Sequence, residues 1–512
     1  MTPLPQFPAT ADVMAWWGRV TPARVAIVDR SHDHRFTYGE VDASADRWAS
    51  ALRGLGIGVG DRVATLTGNR TEIIALFYGA LRVGAVLVPL NWRLAAPELG
   101  RVIEDARPAL VVGESRHRAL GEAALRLSAV DVPWTDLDHD APRLLASADG
   151  ATLDHLRAVA DLPAMLLYTS GSTGRPKGAI LPHRQIFYNA VATTTGWQIG
   201  AGDVAIVANP FFHTGGWHVF STPLWSRGGR VVLFDQFDPA TFLDALAEEQ
   251  VTLAFSVPTQ IGMLTASRSW GRELPRLRFL ISGGAPCPGA LGDRVRAAGI
   301  AFREGYGLTE CGPNCFAITD EEAVRRPGSV GWPSPFLETR TESPVGEPGE
   351  LLLRGPQMFG GYFNDPVRTA DAIDADGWLH TGDLATRDAD GAYRICGRKK
   401  DMFISGGENV FPGEVEAALS ECDGVAEVVV VGVPDEKWGE VGRAFVVRQV
   451  GVPLTADDIA THAGRKLARY KVPKSVVFLD ELPRLGSGKP DRRALAASVI
   501  EPRSGTSPVP AA

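Results

Sequence analysis

The sequence predicts an α/β protein. A large N-terminal domain of doubly wound sheets with a small β-barrel-like subdomain is followed by a small mobile α+β C-terminal domain. Three observations carry that expectation. Short apolar strand signals alternate with helical stretches through the long first part of the chain, as in a mostly parallel sheet with helices on its faces. From about Gly346 this gives way to short strands and tight turns, and past Gly397 to a second kind of alternation. The chain of 512 residues also exceeds what one hydrophobic core holds.

Taken in order, Tyr38 opens a helical pattern that runs through Leu52, and residues 61–66 read as a strand. Residues 72–82 are helical and 85–90 form a strand, with a short buried strand at 164–167. Residues 184–194 read as a helix, and strands follow at 204–208, 230–234, 253–257 and 277–281. In open α/β sheets the ligand lies outside the carboxyl ends of the strands, so the residues just past these strands are the first to consider for a shared site. Residues 349–354, 377–380 and 393–395 are the strands of the small subdomain. The last part reads as a helix at 415–420, a strongly β-branched strand at 425–433, a helix at 456–470 and a strand at 475–479. The expected division is 1–397 for the N-terminal domain, 398–400 for a hinge, 401–500 for the mobile domain and 501–512 for a disordered tail.

Composition excludes several classes. Apolar content of 45% and charge of 22% are ordinary for a soluble globular protein. A formal charge of −8 gives no support to nucleic-acid binding. No apolar run approaches the roughly 18 residues of a membrane span, and Met1-Thr2-Pro3-Leu4-Pro5 lacks the features of a secretory signal. Five scattered cysteines make no disulfide framework, so a reducing cytoplasm is the expected setting. Cys311 and Cys315 lack the second pair that a metal site needs, and read as packing residues.

Tyr168-Thr169-Ser170-Gly171-Ser172-Thr173-Gly174-Arg175-Pro176-Lys177-Gly178 follows the buried strand at 164–167. Hydroxyls, glycines and one ammonium in a single loop suit a highly charged anion, most simply a polyphosphate. A Walker A loop is excluded, because Lys177 precedes Gly178 rather than Ser or Thr and Gly171 and Gly174 stand only three apart. A flexible linker is disfavoured by the buried strand before it. The loop closely resembles the phosphate loop of the adenylate-forming enzymes: acyl-CoA synthetases, luciferases and peptide-synthetase adenylation domains.

Four further motifs follow in that family's order. Gly305-Tyr306-Gly307-Leu308-Thr309-Glu310 joins a tight backbone to an aromatic face, a hydroxyl and a carboxylate, with Ser282-Gly283-Gly284-Ala285-Pro286 upstream. Alone it is a loop with a buried tyrosine; beside a phosphate loop it suits a purine platform and a Mg²⁺ carboxylate. Thr381-Gly382-Asp383 ends a strand with a carboxylate, and Gly397-Arg398-Lys399-Lys400-Asp401 is otherwise a solvated basic turn. Pro483-Arg484-Leu485-Gly486-Ser487-Gly488-Lys489 is unremarkable by itself.

The resemblance implies ATP, Mg²⁺ and CoA as cofactors and assigns roles residue by residue. Thr169, Ser170, Gly171, Ser172, Thr173, Gly174 and Lys177 hold phosphate, and Gly284 and Ala285 line the nucleotide. Tyr306 stacks on adenine, Thr309 contacts phosphate and Glu310 holds the metal. Asp383 and Arg398 bind ribose, Lys400 is the hinge, and Lys489 is the catalytic lysine of adenylation. Arg93, Gly406, Gly407, Trp438 and Tyr470 match positions for CoA, while Val472 stands where some relatives carry a basic residue.

His213 and Trp217 are expected to flank a carboxylic acid. Phe211-Phe212-His213 lacks the carboxylate with which amino-acid-activating relatives hold an α-amino group. Gly216, Gly283, Gly305, Gly307, Gly312 and Pro313 leave either a roomy apolar pocket for a fatty, aryl or polycyclic acid, or simply tight turns. The expected enzyme is an AMP-forming acyl-CoA synthetase of fatty- or aryl-acid metabolism or natural product biosynthesis. It would use CoA, or a carrier-protein thiol, as acceptor, and monomer and homodimer both remain open. The rivals are an adenylation-only enzyme and a non-catalytic nucleotide-binding regulator.

Overall fold

The computed structural model describes residues 12–148, 160–169, 176–485 and 488–498. Its continuous apolar strands, buried on both faces, assemble into two mostly parallel sheets, as such sequences require. The first has six strands in the order Trp134–Asp136, Leu110–Gly113, Arg62–Leu66, Val86–Pro89, Pro163–Thr169, Lys177–Pro182. All are parallel except the last, which pairs antiparallel with its neighbour. The second has seven, in the order Phe302–Glu304, Phe279–Ser282, Leu253–Ser256, Val204–Val207, Arg230–Leu233, Val25–Asp29, His34–Thr37, antiparallel only at its final pair.

Helix Thr71–Val83 buries every residue except Glu72, the signature of a helix enclosed on all sides. Phe77 and Tyr78 join Trp48 of helix Tyr38–Gly54, Leu87 and Met165 of the first sheet, and Val231 and Leu253 of the second in one core. The two sheets are therefore glued through these helices, and the strands' carboxyl ends open toward a common cleft. Thr37 and Glu40 start helix Tyr38–Gly54 with a reciprocal capping box.

The small subdomain is an antiparallel sheet of Glu338–Thr341, Gly349–Arg354, Leu379–Arg387 and Tyr393–Arg398, side by side in chain order. One expectation is corrected here. Asp383 does not end a strand; it lies inside Leu379–Arg387, which runs on because Leu384 and Ala385 still pair across the sheet.

Past Arg398 the sheet of the C-terminal domain begins, built on the long hairpin of Val425–Asp435 and Gly439–Arg448, with Ser475–Leu479 parallel to the latter. Helices Pro412–Ser420 and Ala456–Lys466 cover one face through Val415, Leu419, Ile459 and Ala463, and Leu495 covers the other. The helix expected at 456–470 stops at Lys466. Leu467 turns extended and packs on the core, and only a three-residue turn at Arg469–Lys471 follows. The tail from residue 501 lies outside the described residues.

Arg82 is a test of how the first layer is held. Its guanidinium is 1% exposed and meets Asp12 at 2.9 Å, Asp42 at 2.5 Å and Asp46 at 2.7 Å. Arg82→Ala removes a buried guanidinium and its contacts to three part-exposed carboxylates, a loss of about 1.5–3 kcal/mol. A fall of several degrees in the N-terminal domain's thermal midpoint is expected; an unchanged midpoint would contradict this.

Candidate active site

Two antiparallel strands flank the phosphate loop. Thr169 and Lys177 are cross-strand partners at its base, while Ser170, Gly171, Ser172, Thr173 and Gly174 lie outside the described residues. The segment 360–363 is strapped along the second strand, with Gly360 N–H donating to Ile180 O (2.8 Å) and Phe363 N–H to Gly178 O (2.8 Å). This places the Tyr362 ring 5.0 Å from Lys177 Nζ. Its hydroxyl donates to Glu310 Oε1 at 2.6 Å. One tyrosine thus spans the phosphate-loop lysine and the expected metal carboxylate.

The Tyr306 motif leaves the edge strand Phe302–Glu304. Gly305 N–H donates to Ser282 O (2.8 Å), which ties it to the turn of Gly283, Gly284 and Ala285. A tight return follows, with Leu308 N–H to Gly312 O (3.1 Å) and Cys315 N–H to Tyr306 O (2.9 Å). Gly307 is obligatory there, because a Cβ would stand 2.2 Å from the Pro313 carbonyl carbon. Gln185 Nε2 donates to Thr309 O at 2.8 Å and holds the motif from behind.

Asp383 is aimed by a bulge. Glu350 pairs with Leu384 and Leu352 with His380, so three residues oppose Leu351, and Gly382 takes φ +68°. Thr381 Oγ1 donates to Leu351 O (2.7 Å) and accepts from Asp383 N–H (3.0 Å), locking the bulge. The carboxylate then accepts from Tyr306 OH (2.5 Å) and pairs with Arg398 Nε (2.5 Å). Burial raises the Asp383 carboxyl above its usual range, against the pull of Arg398 and Tyr306.

Lys489 enters this site from the C-terminal sheet. Burial pushes its ammonium below the ordinary lysine value; Arg398 adds to that push, while Asp383 and Glu310 oppose it. His213 sits at the start of helix Thr214–His218 and is held neutral, its pKa lowered to about 4 by burial, then by Lys489 and Arg93.

These groups line one cleft of about 2730 Å³. Thr169, Lys177, His213, Gly283, Gly284, Ala285, Gly305, Tyr306, Gly307, Thr309, Glu310, Pro313, Asp383, Arg398, Lys400, Lys489 and Arg93 all face it. Phe255, Val257 and Ile281 give it an apolar side. Arg93 lies over the rings of Trp92 (5.0 Å) and Phe212 (5.6 Å).

Six expected residues lie elsewhere. Trp217 is fully buried, stacked on Phe211 at 4.3 Å with its N–H donated to Phe211 O (2.7 Å), so it belongs to the core rather than to a pocket wall. Gly312, at φ +84°, serves the tight return against Asn189. Gly216 is likewise a packing glycine, its place for a Cβ 2.5 Å from Asn209 O. Gly406, Gly407 and Trp438 form a separate turn on the C-terminal domain, where Gly406 N–H donates to Trp438 O (2.9 Å) and Trp438 is 43% exposed.

Three cleft residues escaped the sequence reading. Tyr362 is one; the only signal is a tyrosine after Gly360-Gly361. Asn69 is another: it donates to Asn209 O (2.9 Å) and Phe234 O (3.1 Å) and accepts from Phe211 N–H (2.9 Å), joining loops of both sheets. Glu304 is the third, a carboxyl in the cleft wall that burial pushes up to about 7.

Among the described residues no group of three or more His, Cys, Asp or Glu is placed to hold a metal ion by itself. Glu310 suits Mg²⁺, which binds through one or two carboxylates and shares itself with phosphate oxygens. No helix among these residues is long and apolar enough to cross a membrane.

Residues 14–363 match the AMP-binding enzyme family and residues 414–489 the AMP-binding enzyme C-terminal domain, so the chain belongs to that family of adenylate-forming enzymes. It is similar to a feruloyl-CoA synthase of Amycolatopsis sp, 39% identical over 478 residues, with 92% of this chain and 95% of that protein covered. An indoleacetate–CoA ligase of Aromatoleum aromaticum is 37% identical, covering 91% and 94%. Among solved structures, ATP-bound MatB from Rhodopseudomonas palustris superposes with a TM-score of 0.86 at 32% identity, covering 95% and 98%. The o-succinylbenzoate CoA synthetase of Bacillus subtilis with ATP and magnesium gives 0.85 at 29%, covering 94% and 98%. Within its family the chain is an AMP-forming acid–thiol ligase of the acyl-CoA synthetase type.

Glu304 yields a pH prediction. The native carboxyl keeps its proton up to about 7, whereas the ordinary value is 4.5. Between those limits the folded state binds more protons than the unfolded one, so stability falls as pH rises. Glu304→Gln removes the titration, and its thermal midpoint should gain on the wild type from pH 5 to pH 8. A difference that stays constant over that range would contradict the assignment.

Proposed function

We propose that the chain activates a hydrophobic carboxylic acid, fatty, aryl or polycyclic, with MgATP to an acyl-adenylate, and then passes the acyl group to CoA. The observation that carries this reading is Lys489: an ammonium from the C-terminal domain that faces the cleft lined by Glu310, Asp383 and Lys177.

In the first step a carboxylate oxygen attacks the α-phosphorus of ATP, and the bond to pyrophosphate breaks. Negative charge grows on the equatorial oxygens, and the preplaced Lys489 ammonium stabilises it there. Lys177 and the loop from Thr169 hold the departing phosphates, with Ser170, Gly171, Ser172, Thr173 and Gly174 as the other members of that loop. Tyr306 offers its ring to adenine, Thr309 its hydroxyl to phosphate, and Asp383 with Arg398 grips the ribose. Glu310 holds Mg²⁺, which when bound neutralises charge on the phosphates. His213, neutral by virtue of its lowered pKa, flanks the acid without adding charge.

The second step needs Lys489 out of the way. The division into 1–397, a hinge at 398–400 and a domain at 401–500 supports a rotation about Lys400. Gly406, Gly407 and Trp438 are exposed on the face that would turn inward, and Arg93 waits at the cleft to meet CoA. The thiol loses its proton, its sulfur attacks the acyl carbon, and AMP leaves.

The test is pyrophosphate release with MgATP across a panel of acids, with and without CoA, followed by mass analysis. Acid-dependent release ending in acyl-CoA is expected. Release that stops at acyl-AMP despite CoA contradicts the second step, and acetate or a free amino acid as best substrate contradicts the hydrophobic pocket. Lys489→Ala should slow adenylation by about 10²–10³-fold; an effect under threefold would remove the lysine from the mechanism.

A further inference from the structure

The described residues on either side of 486 and 487 hold Lys489 by backbone pairing. Arg484 and Pro490 form an antiparallel bridge, Leu485 N–H donates to Lys489 O (2.8 Å), and Gly488 N–H donates to Leu485 O (2.7 Å). Before the lysine, Arg484 Nη2 meets Glu427 Oε2 of strand Val425–Asp435 at 2.5 Å, which holds one side of the segment to the domain. The side that carries Lys489 is held from just beyond it. Asp491 caps helix Arg492–Ala497, accepting from Arg493 N–H (3.1 Å) and Ala494 N–H (3.0 Å).

Arg492, the first residue of that helix, reaches back into the domain. Its Nη1 donates to Val430 O at 2.7 Å, and Nη1 and Nη2 meet Glu416 Oε1 at 2.7 Å and Oε2 at 2.8 Å. Glu416 Oε1 also accepts from Val430 N–H at 2.6 Å. Arg492 Nε stands 3.6 Å from Asp401 Oδ2, the residue that follows Lys400. One guanidinium thus fastens the Lys489 segment to helix Pro412–Ser420, to the strand Val425–Asp435 and to the start of the domain. The fork is bidentate and largely buried, with the Arg492 side chain 29% and the Glu416 side chain 15% exposed, the geometry in which such pairs are strongest.

We propose that Arg492, clamped by Glu416, is a positioning residue that holds Lys489 at its adenylation position. The proposal rests on the adenylation role of Lys489. Adenylation depends on where the ammonium stands to within about an ångström. Thioester formation, which proceeds with Lys489 withdrawn, does not. Arg492 therefore matters to one half-reaction and not to the other, a division that general support of the fold does not produce.

The experiment measures each half-reaction in the full-length enzyme. Arg492→Ala should slow ATP–pyrophosphate exchange by about 10²-fold, while acyl-CoA formation from presynthesised acyl-AMP stays within about twofold of wild type. Arg492→Lys keeps the charge but not the fork, and should recover part of the loss. In a double-mutant cycle, Arg492→Ala with Lys489→Ala should exchange no more slowly than Lys489→Ala alone, since residues acting as one unit are not additive. Parallel losses in both half-reactions, additive losses in the cycle, or unchanged exchange in Arg492→Ala would each overturn the proposal. Exchange absent from the wild type with every acid would instead overturn the adenylation reading, and this proposal with it.

Discussion

One carboxylate organises the site. Asp383 takes the Tyr306 hydroxyl from the edge of the seven-stranded sheet on one oxygen and Arg398, the last residue before the sheet of the C-terminal domain, on the other. Three parts of the chain meet at that point, and each would otherwise carry an unpaired polar group into a buried cleft. A charge in such a place is costly unless paired and hydrogen-bonded. The Tyr306–Asp383 hydrogen bond thereby links the antiparallel subdomain to the segment that leaves the edge of the seven-stranded sheet. The bulge at Gly382 is what makes the geometry possible, because an unbroken strand would leave the carboxylate on the sheet's regular alternation.

Charged groups of both signs line the cleft. Lys489, Arg398, Lys400, Lys177 and Arg93 face it from several elements, against Asp383, Glu310 and Glu304. Desolvation pushes the Lys489 ammonium down and the Asp383 carboxyl up. A site arranged in this way is preorganised, and preorganised charge acts at the moment of reaction without further rearrangement.

Much of the fold was legible because its strands are apolar throughout and its turns are rich in glycine. The strands at 204–208, 230–234 and 253–257 and the helix at 72–82 coincide with observed elements to within a residue or so. What escaped depends on contacts across the fold. The end of the helix at Lys466 follows from where Leu467 finds a core, which no local signal shows. Trp217 is an aromatic beside a motif histidine, and only packing against Phe211 and Phe77 separates core from pocket. Gly307 and Gly312 read equally as open space or tight backbone; the Pro313 and Asn189 neighbours favour the backbone. Tyr362, Asn69 and Arg492 lie outside the recognised motifs, and their roles come from partners distant in sequence.

The central claim is that a carboxylate oxygen bonds to the α-phosphorus in this cleft. The most direct measurement follows that oxygen, using an accepted acid labelled with ¹⁸O at both carboxylate positions, with MgATP and CoA. The account predicts one labelled oxygen in the AMP released and none in the pyrophosphate. AMP without label, or label in pyrophosphate or inorganic phosphate, would contradict it.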